Sequence, residues 1–153
     1  MKIIVMSDSH RRYGIIDQVM SAHPDADAFI HCGDIQEELN FYPGLKVVAG
    51  NGDYDPRLPK QLCFTLNGHE IFVPHSHLFP YMNKHQHLAK KAKEYGCDIV
   101  LYGHTHIPAY EVVNGVTILN PGSLLRNRDG SAPSYAILTL NHELKVQFVH
   151  LEW

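Results

Sequence analysis

Five short polar clusters hold the residue types from which a metal centre is built. They are Asp8-Ser9-His10, Gly33-Asp34, Gly50-Asn51-Gly52-Asp53, His75-Ser76-His77 and Gly103-His104-Thr105-His106. Carboxylate, imidazole and amide oxygen together favour borderline or hard divalent ions such as Mn²⁺, Fe²⁺, Zn²⁺, Co²⁺ or Ni²⁺. The candidate donors are Asp8, His10, Asp34, Asn51, His75, His104 and His106. Such a set is too large for one catalytic ion with an open position, and it suits two ions sharing a carboxylate. Paired ions activate water for hydrolysis, of phosphate esters or of peptides. A single D-x-H is more often a solvated loop than a ligand, so the weight lies in where all five clusters fall.

Each cluster closes a segment that reads as a strand. The apolar run 2–6 ends at the first cluster, 27–31 at the second, 45–49 at the third, 70–73 at the fourth and 98–102 at the fifth. Ligands of α/β sheets gather beyond the carboxyl ends of parallel strands, where residues distant in sequence meet. A strand repeats its side-chain direction every two residues, so Asp8 with His10, and His104 with His106, face one site if extension persists through the cluster. Between these strands, Ile15, Ile16, Val19 and Met20 recur at helical spacing until Pro24, and 82–95 reads as a surface helix with Gly96 at its C-cap. Asn67-Gly68 and Asn114-Gly115 each separate two short apolar runs and predict tight hairpins, and 135–140 with 144–151 predicts a third. The mixed pattern predicts one α/β (α+β) domain over residues 1–153, with two packed sheets flanked by helices.

Composition narrows the setting. With 44% apolar and 19% charged residues and a formal net charge of −3, the chain offers no broad basic surface, so nucleic acid is not expected except as a nucleotide-like substrate. Twelve histidines are the compositional outlier, while Cys32, Cys63 and Cys97 show no CxxC spacing that would suggest a disulfide framework or thiolate zinc site. Met1 and Lys2 lead straight into a strand-like run, and no stretch approaches the roughly 18 apolar residues of a membrane span. A soluble cytoplasmic protein without membrane partners is expected, and a homo-oligomer is compatible with the sequence.

The order D-x-H, G-D, G-N-x-D, H-x-H, G-H-x-H, followed by Asn120-Pro121-Gly122-Ser123, resembles the calcineurin-like metallophosphoesterase superfamily, in particular its small YfcE-type phosphodiesterase branch. The resemblance spans roughly residues 3–123. It implies a four-layer αββα sandwich of two mixed β-sheets. It also implies one metal held by Asp8, His10, Asp34 and His106 and another held by Asp34, Asn51, His75 and His104, with Asp34 as the bridge. Mn²⁺ or Ni²⁺ would be the favoured ions, a phosphate ester the substrate and a metal-bridging hydroxide the nucleophile. The alternative it carries is a weakly active or inactive interaction scaffold, as in the eukaryotic retromer subunit.

Two departures bear on the chemistry. Many superfamily members place a histidine at the position of Gly52, where it assists the leaving group. Proton donation is typically worth roughly 10²–10⁴-fold, so its loss favours diesters and activated esters over unactivated alkyl monoesters. His77 is the candidate replacement acid. The second departure is Pro74-His75-Ser76-His77 in place of T-H-G-H, which predicts an altered loop beside the metals. Asp53 is expected to orient a ligand or its own loop, Asn51 and Ser123 to line the substrate pocket, and His31 to pack or support the site. Arg126 and Arg128 are candidates for substrate phosphate or for plain solvation, and His85 and His87 read as a solvated helix face.

Overall fold

The computed structural model describes residues Met1–Glu152. Among the described residues, ten strands form two five-stranded mixed sheets. The first contains β1 (Lys2–Met6), β2 (Ala28–His31), β3 (Leu45–Val47), β9 (Ser134–Leu140) and β10 (Leu144–His150), in the order β10-β9-β1-β2-β3. The second contains β4 (Gln61–Leu66), β5 (His69–Pro74), β6 (Ile99–Leu101), β7 (Ala109–Val113) and β8 (Val116–Asn120), in the order β4-β5-β6-β8-β7. The parallel pairs are β1 with β2 and β2 with β3 in the first sheet, where β3 is an edge strand, and β5 with β6 and β6 with β8 at the centre of the second.

Alternation along β1 shows how the layers stack. Ile3 and Val5 point inward to a core shared with Ile71, Val73, Ile99 and Leu101 of the second sheet, while Ile4 and Met6 point outward to α1 (Ile15–Ala22) through Ile15, Ile16 and Val19. On the opposite side Phe72, Val100 and Ile118 meet Leu88, Ala89 and Ala92 of α2 (Lys84–Glu94). Because both faces of the central strands are covered, those strands read as unbroken apolar runs. The layers are therefore α1, first sheet, second sheet, α2, the four-layer αββα sandwich that the resemblance implied.

Both predicted Asn-Gly turns have positive φ at the two turn residues, 49° and 80° at Asn67-Gly68 and 50° and 81° at Asn114-Gly115. That is the condition for the type I′ turn that matches strand twist. A short 3-10 helix, Leu39–Phe41, was not anticipated from the sequence. Among the described residues, no helix is long and apolar enough to cross a membrane.

Candidate metal centre

All five polar clusters arrive at one edge of the sandwich, beyond the carboxyl ends of β1, β2 and β3 on one side and of β5 and β6 on the other. The alternation expected within each cluster does not persist. Asp8, His10, Asp34, His104 and His106 all have left-handed backbone, with φ of 52°, 43°, 59°, 75° and 58°. Each chain segment curls at its candidate ligands instead of running straight, at a cost of roughly 1–3 kcal/mol per residue. Hydrogen bonds between the curls hold them: Asp8 N donates to Gly33 O at 3.0 Å and His10 N to Asp34 O at 2.9 Å.

Asp53 fixes the second and third clusters together. Its Oδ2 accepts from Asp34 N and Gly50 N and its Oδ1 from Gln36 N, all at 2.8 Å. It therefore positions Asp34 and is committed to backbone. Gly50 and Gly103 are bare because of close approach, since a Cβ at Gly50 would strike the Asp34 carboxylate and one at Gly103 would strike Ser7 Oγ and Asp8 Oδ2.

The carboxylates share one design. Asp8 Oδ2 accepts from Ser7 Oγ at 2.6 Å and His104 N at 3.0 Å, while its Oδ1 is buried with no hydrogen-bond partner. Asp34 Oδ1 accepts from Gly52 N at 2.7 Å, while its Oδ2 faces His75 Nε2 at 3.3 Å and His10 Nε2 at 3.6 Å. One oxygen of each is tied down, and the other is presented to imidazoles. The histidines are fixed in the same way. His75 Nδ1 bonds Cys32 O at 2.8 Å and His106 Nδ1 bonds Arg126 O at 2.9 Å, which leaves both Nε2 atoms facing the carboxylates. Orientation of this kind through the second ring nitrogen is usual for metal-ligating histidine.

Two groups of donors converge, Asp8 with His10 and His106, and Asp8 with Asp34 and His75. Asp8 Oδ1 lies 3.3 Å from His106 Nε2 and 3.8 Å from both His10 Nε2 and His75 Nε2. Asn51 Oδ1 lies 3.1 Å from both His75 Nε2 and His104 Nδ1, which extends the second group. Asp8 stands between the two groups at least as centrally as Asp34 does, so the geometry does not single out Asp34 as the shared ligand. Burial alone would raise both carboxyls, but His75 and the Gly52 amide pull Asp34 down to about 2, and His106, His75 and Ser7 lower Asp8. Burial, reinforced by His75 and Lys84, brings His104 down to about 4. The result is a pair of ionised carboxylates with an uncapped buried oxygen, beside a largely neutral imidazole. That donor chemistry fits divalent cations.

His77 sits at the margin of the centre. Its ring lies 5.4 Å from that of His75 and 6.2 Å from that of His104, its Nδ1 is buried without a partner, and burial lowers its pKa. Ser123 does not line the pocket: it is fully buried, and its Oγ donates to Asp8 O at 2.7 Å and accepts from Leu125 N and Arg126 N. Its polar capacity is spent on backbone, and it holds the Asp8 turn. His31 accepts from Gly33 N at Nδ1 and so donates from Nε2 to Ser9 Oγ at 2.9 Å, a support beneath the first cluster. Arg126 and Arg128 line a cavity of about 760 Å³ that reaches His10 and His106.

Three contributors escape sequence reasoning. Gln36 occupies the space beside Gly52, where its Nε2 donates to Gly52 O at 3.2 Å and would collide with any Cβ there. Lys84, on a helix whose composition reads as solvated, is buried and donates from Nζ to Ser76 O and Ser76 Oγ, each at 3.0 Å. Ser76 Oγ in turn donates to Gly103 O at 3.1 Å, so the departure at Ser76 ties the fourth cluster to the fifth. Ser7 is the third, and a small hydroxyl residue beside an aspartate gives no signal of its role.

A two-sheet sandwich with carboxylates and imidazoles converging at its strand ends is the architecture of a metallophosphoesterase. The model for the calcineurin-like phosphoesterase superfamily domain matches residues 1–143, and the chain belongs to that family, whose members use divalent metals. It is 34% identical over 147 residues to the probable metallophosphoesterase YsnB of Bacillus subtilis, a match covering 94% of this chain and 86% of that one. It is 30% identical over 145 residues to the phosphodiesterase MJ0936 of Methanocaldococcus jannaschii, covering 80% of this chain and 83% of that one. The solved structure of a predicted phosphoesterase from Streptococcus pneumoniae TIGR4 superposes with a TM-score of 0.90 at 33% identity, covering 97% of this chain and 88% of that one. Vps29 of Entamoeba histolytica, solved with Zn²⁺, superposes with a TM-score of 0.77 at 21% identity over 97% of this chain and 98% of that one, a likeness of fold.

Proposed function

We propose that residues 1–153 form one domain that acts as a dinuclear metal-dependent phosphodiesterase, with Asp8, His10, Asp34, Asn51, His75, His104 and His106 as the metal ligands. The observation that carries this reading is the unpartnered, buried Asp8 Oδ1 facing three imidazoles beside Asp34 Oδ2. When bound, a pair of divalent ions, Mn²⁺ or Ni²⁺ in the first instance, supplies Lewis acidity and lowers the pKa of water. The protein's own groups do the rest. Asp53 and Ser123 hold Asp34 and Asp8 in their curled conformations, and Arg126 and Arg128 draw the anionic ester toward His10 and His106. The name of the archaeal relative and the blocked space at Gly52 both support diesters as the substrate. With Gln36 filling the position that a leaving-group histidine would need, and His31 fully buried beneath the first cluster, His77 is the imidazole at the margin of the centre left for that role. We assign it proton transfer to the leaving group, and a cytoplasmic setting accords with the unpaired cysteines.

Elemental analysis of purified protein, paired with hydrolysis of bis(p-nitrophenyl) phosphate in Mn²⁺ or Ni²⁺, tests the assignment. Two ions per chain and turnover that EDTA abolishes are expected. A metal-loaded protein that hydrolyses neither this diester nor p-nitrophenyl phosphate would reject the enzyme and favour the scaffold. His77→Ala should steepen the dependence of rate on leaving-group pKa, and an unchanged slope removes His77 from that role.

A further inference from the structure

A cavity of about 540 Å³ opens beside the candidate metal centre, walled by segments that also supply its ligands. Arg11, next to His10, and Gly52, next to Asn51, both line it. Three aromatic side chains from separate segments converge on it while staying largely in solvent: Tyr13 at 74% exposure, Phe41 at 64% and Tyr54 at 91%. An aromatic ring left in water forgoes the burial that makes such residues valuable in a core. Three of them around one concavity mark a binding surface.

Charge narrows what the surface takes. Four carboxylates, Glu37, Glu38, Asp53 and Asp55, stand against two guanidinium groups, Arg11 and Arg57. Arg57 is already paired with Asp55 at 2.8 Å and Glu38 at 3.2 Å. Further phosphate is therefore repelled here. A second cavity, with Arg126, Arg128, His10 and His106, has no carboxylate in its lining and draws anions instead. A phosphodiester has two ester arms, and the two cavities differ in the kind of group each would accept.

Resting on the phosphodiesterase reading above, we propose that the Tyr13, Phe41 and Tyr54 cavity receives, by stacking, an aromatic group on the arm of the substrate that stays with the phosphate, a nucleobase above all. Every base offers a π face, so the cavity selects aromatic esters without reading sequence. Stacking of a base on one aromatic side chain is worth roughly fivefold to a hundredfold in affinity.

The test compares thymidine 5′-(p-nitrophenyl phosphate) with methyl p-nitrophenyl phosphate on Mn²⁺-loaded protein, two diesters with the same leaving group. The nucleoside ester is expected to have the higher kcat/KM, and the ratio of the two to fall roughly fivefold or more in Tyr54→Ala and in the Tyr13→Ala/Phe41→Ala double variant. A wild-type ratio near one, or a ratio unmoved in both variants, overturns the proposal. A second measurement needs neither metal nor turnover: saturation-transfer NMR of adenosine with the protein in EDTA, where contact to the base protons is expected and its absence overturns the proposal. Should neither ester be cleaved, the phosphodiesterase reading fails while the adenosine contact still decides what the cavity binds.

Discussion

The two sheets contribute different chemistry to the same centre. The first, through the ends of β1, β2 and β3, brings both carboxylates, the Asn51 amide and one imidazole. The second, through the ends of β5 and β6, brings imidazoles alone, His75, His104 and His106. Neither set is self-supporting. The His104 amide, from the second sheet, ties down Asp8 Oδ2 on the first, and Cys32 O on the first orients His75 on the second. The closed sandwich is therefore part of the geometry of the candidate ligands, because each sheet's backbone aims side chains of the other. The negative charge that would hold cations comes from one sheet, and most of the neutral donors that would complete their coordination come from the other.

The largest test of that division removes charge from the first sheet. Asp8→Asn is expected to lower kcat/KM on a chromogenic diester by roughly a thousandfold, since the charge stabilisation supplied by bound ions is worth several kcal/mol, and to reduce the metal content measured on the purified protein. His75→Ala, which removes one imidazole from the second sheet, should cost less. Equal losses would mean that the sheets are not unequal partners. Asp53→Asn tests positioning within the first sheet. A roughly 10–100-fold loss of metal affinity by titration is expected, with near-normal turnover at saturating metal, and full affinity would show that the backbone holds Asp34 unaided. The contact between sheets is tested last. Gly103→Ala pushes a methyl group against Ser7 Oγ and Asp8 Oδ2 and should cost roughly 1–3 kcal/mol in denaturant unfolding, because rotating the Ser7 hydroxyl away relieves only the first of these contacts.

Much of this organisation is legible in the chain. The apolar runs ending at Asp8, Asp34, Asn51, His75 and His104 gave away both the strands and the cluster, because buried parallel strands are continuous in apolarity and their carboxyl ends are the only place for polar loops to meet. The Asn-Gly pairs marked their hairpins through the positive φ those turns require. The local course of the clusters was not legible. A period of two predicts straight chelating arms, and Asp8, His10, His104 and His106 instead adopt left-handed backbone that no residue pattern announces. Ser123 was misplaced for a related reason. Asn-Pro-Gly-Ser signals a turn, but whether its hydroxyl faces substrate or backbone depends on what packs behind it, and here that is the carbonyl of Asp8.

What the sequence determined by itself was the inventory: the donors, the strands that end at them and a divalent-metal chemistry that follows from carboxylate, amide and imidazole. Tertiary structure alone decided which atom of each donor is free. Asp8 Oδ1 is presented because Ser7 and the His104 amide occupy Oδ2, the space beside Gly52 is taken by the Gln36 amide, and Lys84 is buried with its ammonium on Ser76. Apart from that between the adjacent Ser7 and Asp8, these contacts join residues 8 to 96 positions apart in the chain, and the one from the His104 amide to Asp8 forms only when the two sheets close on each other.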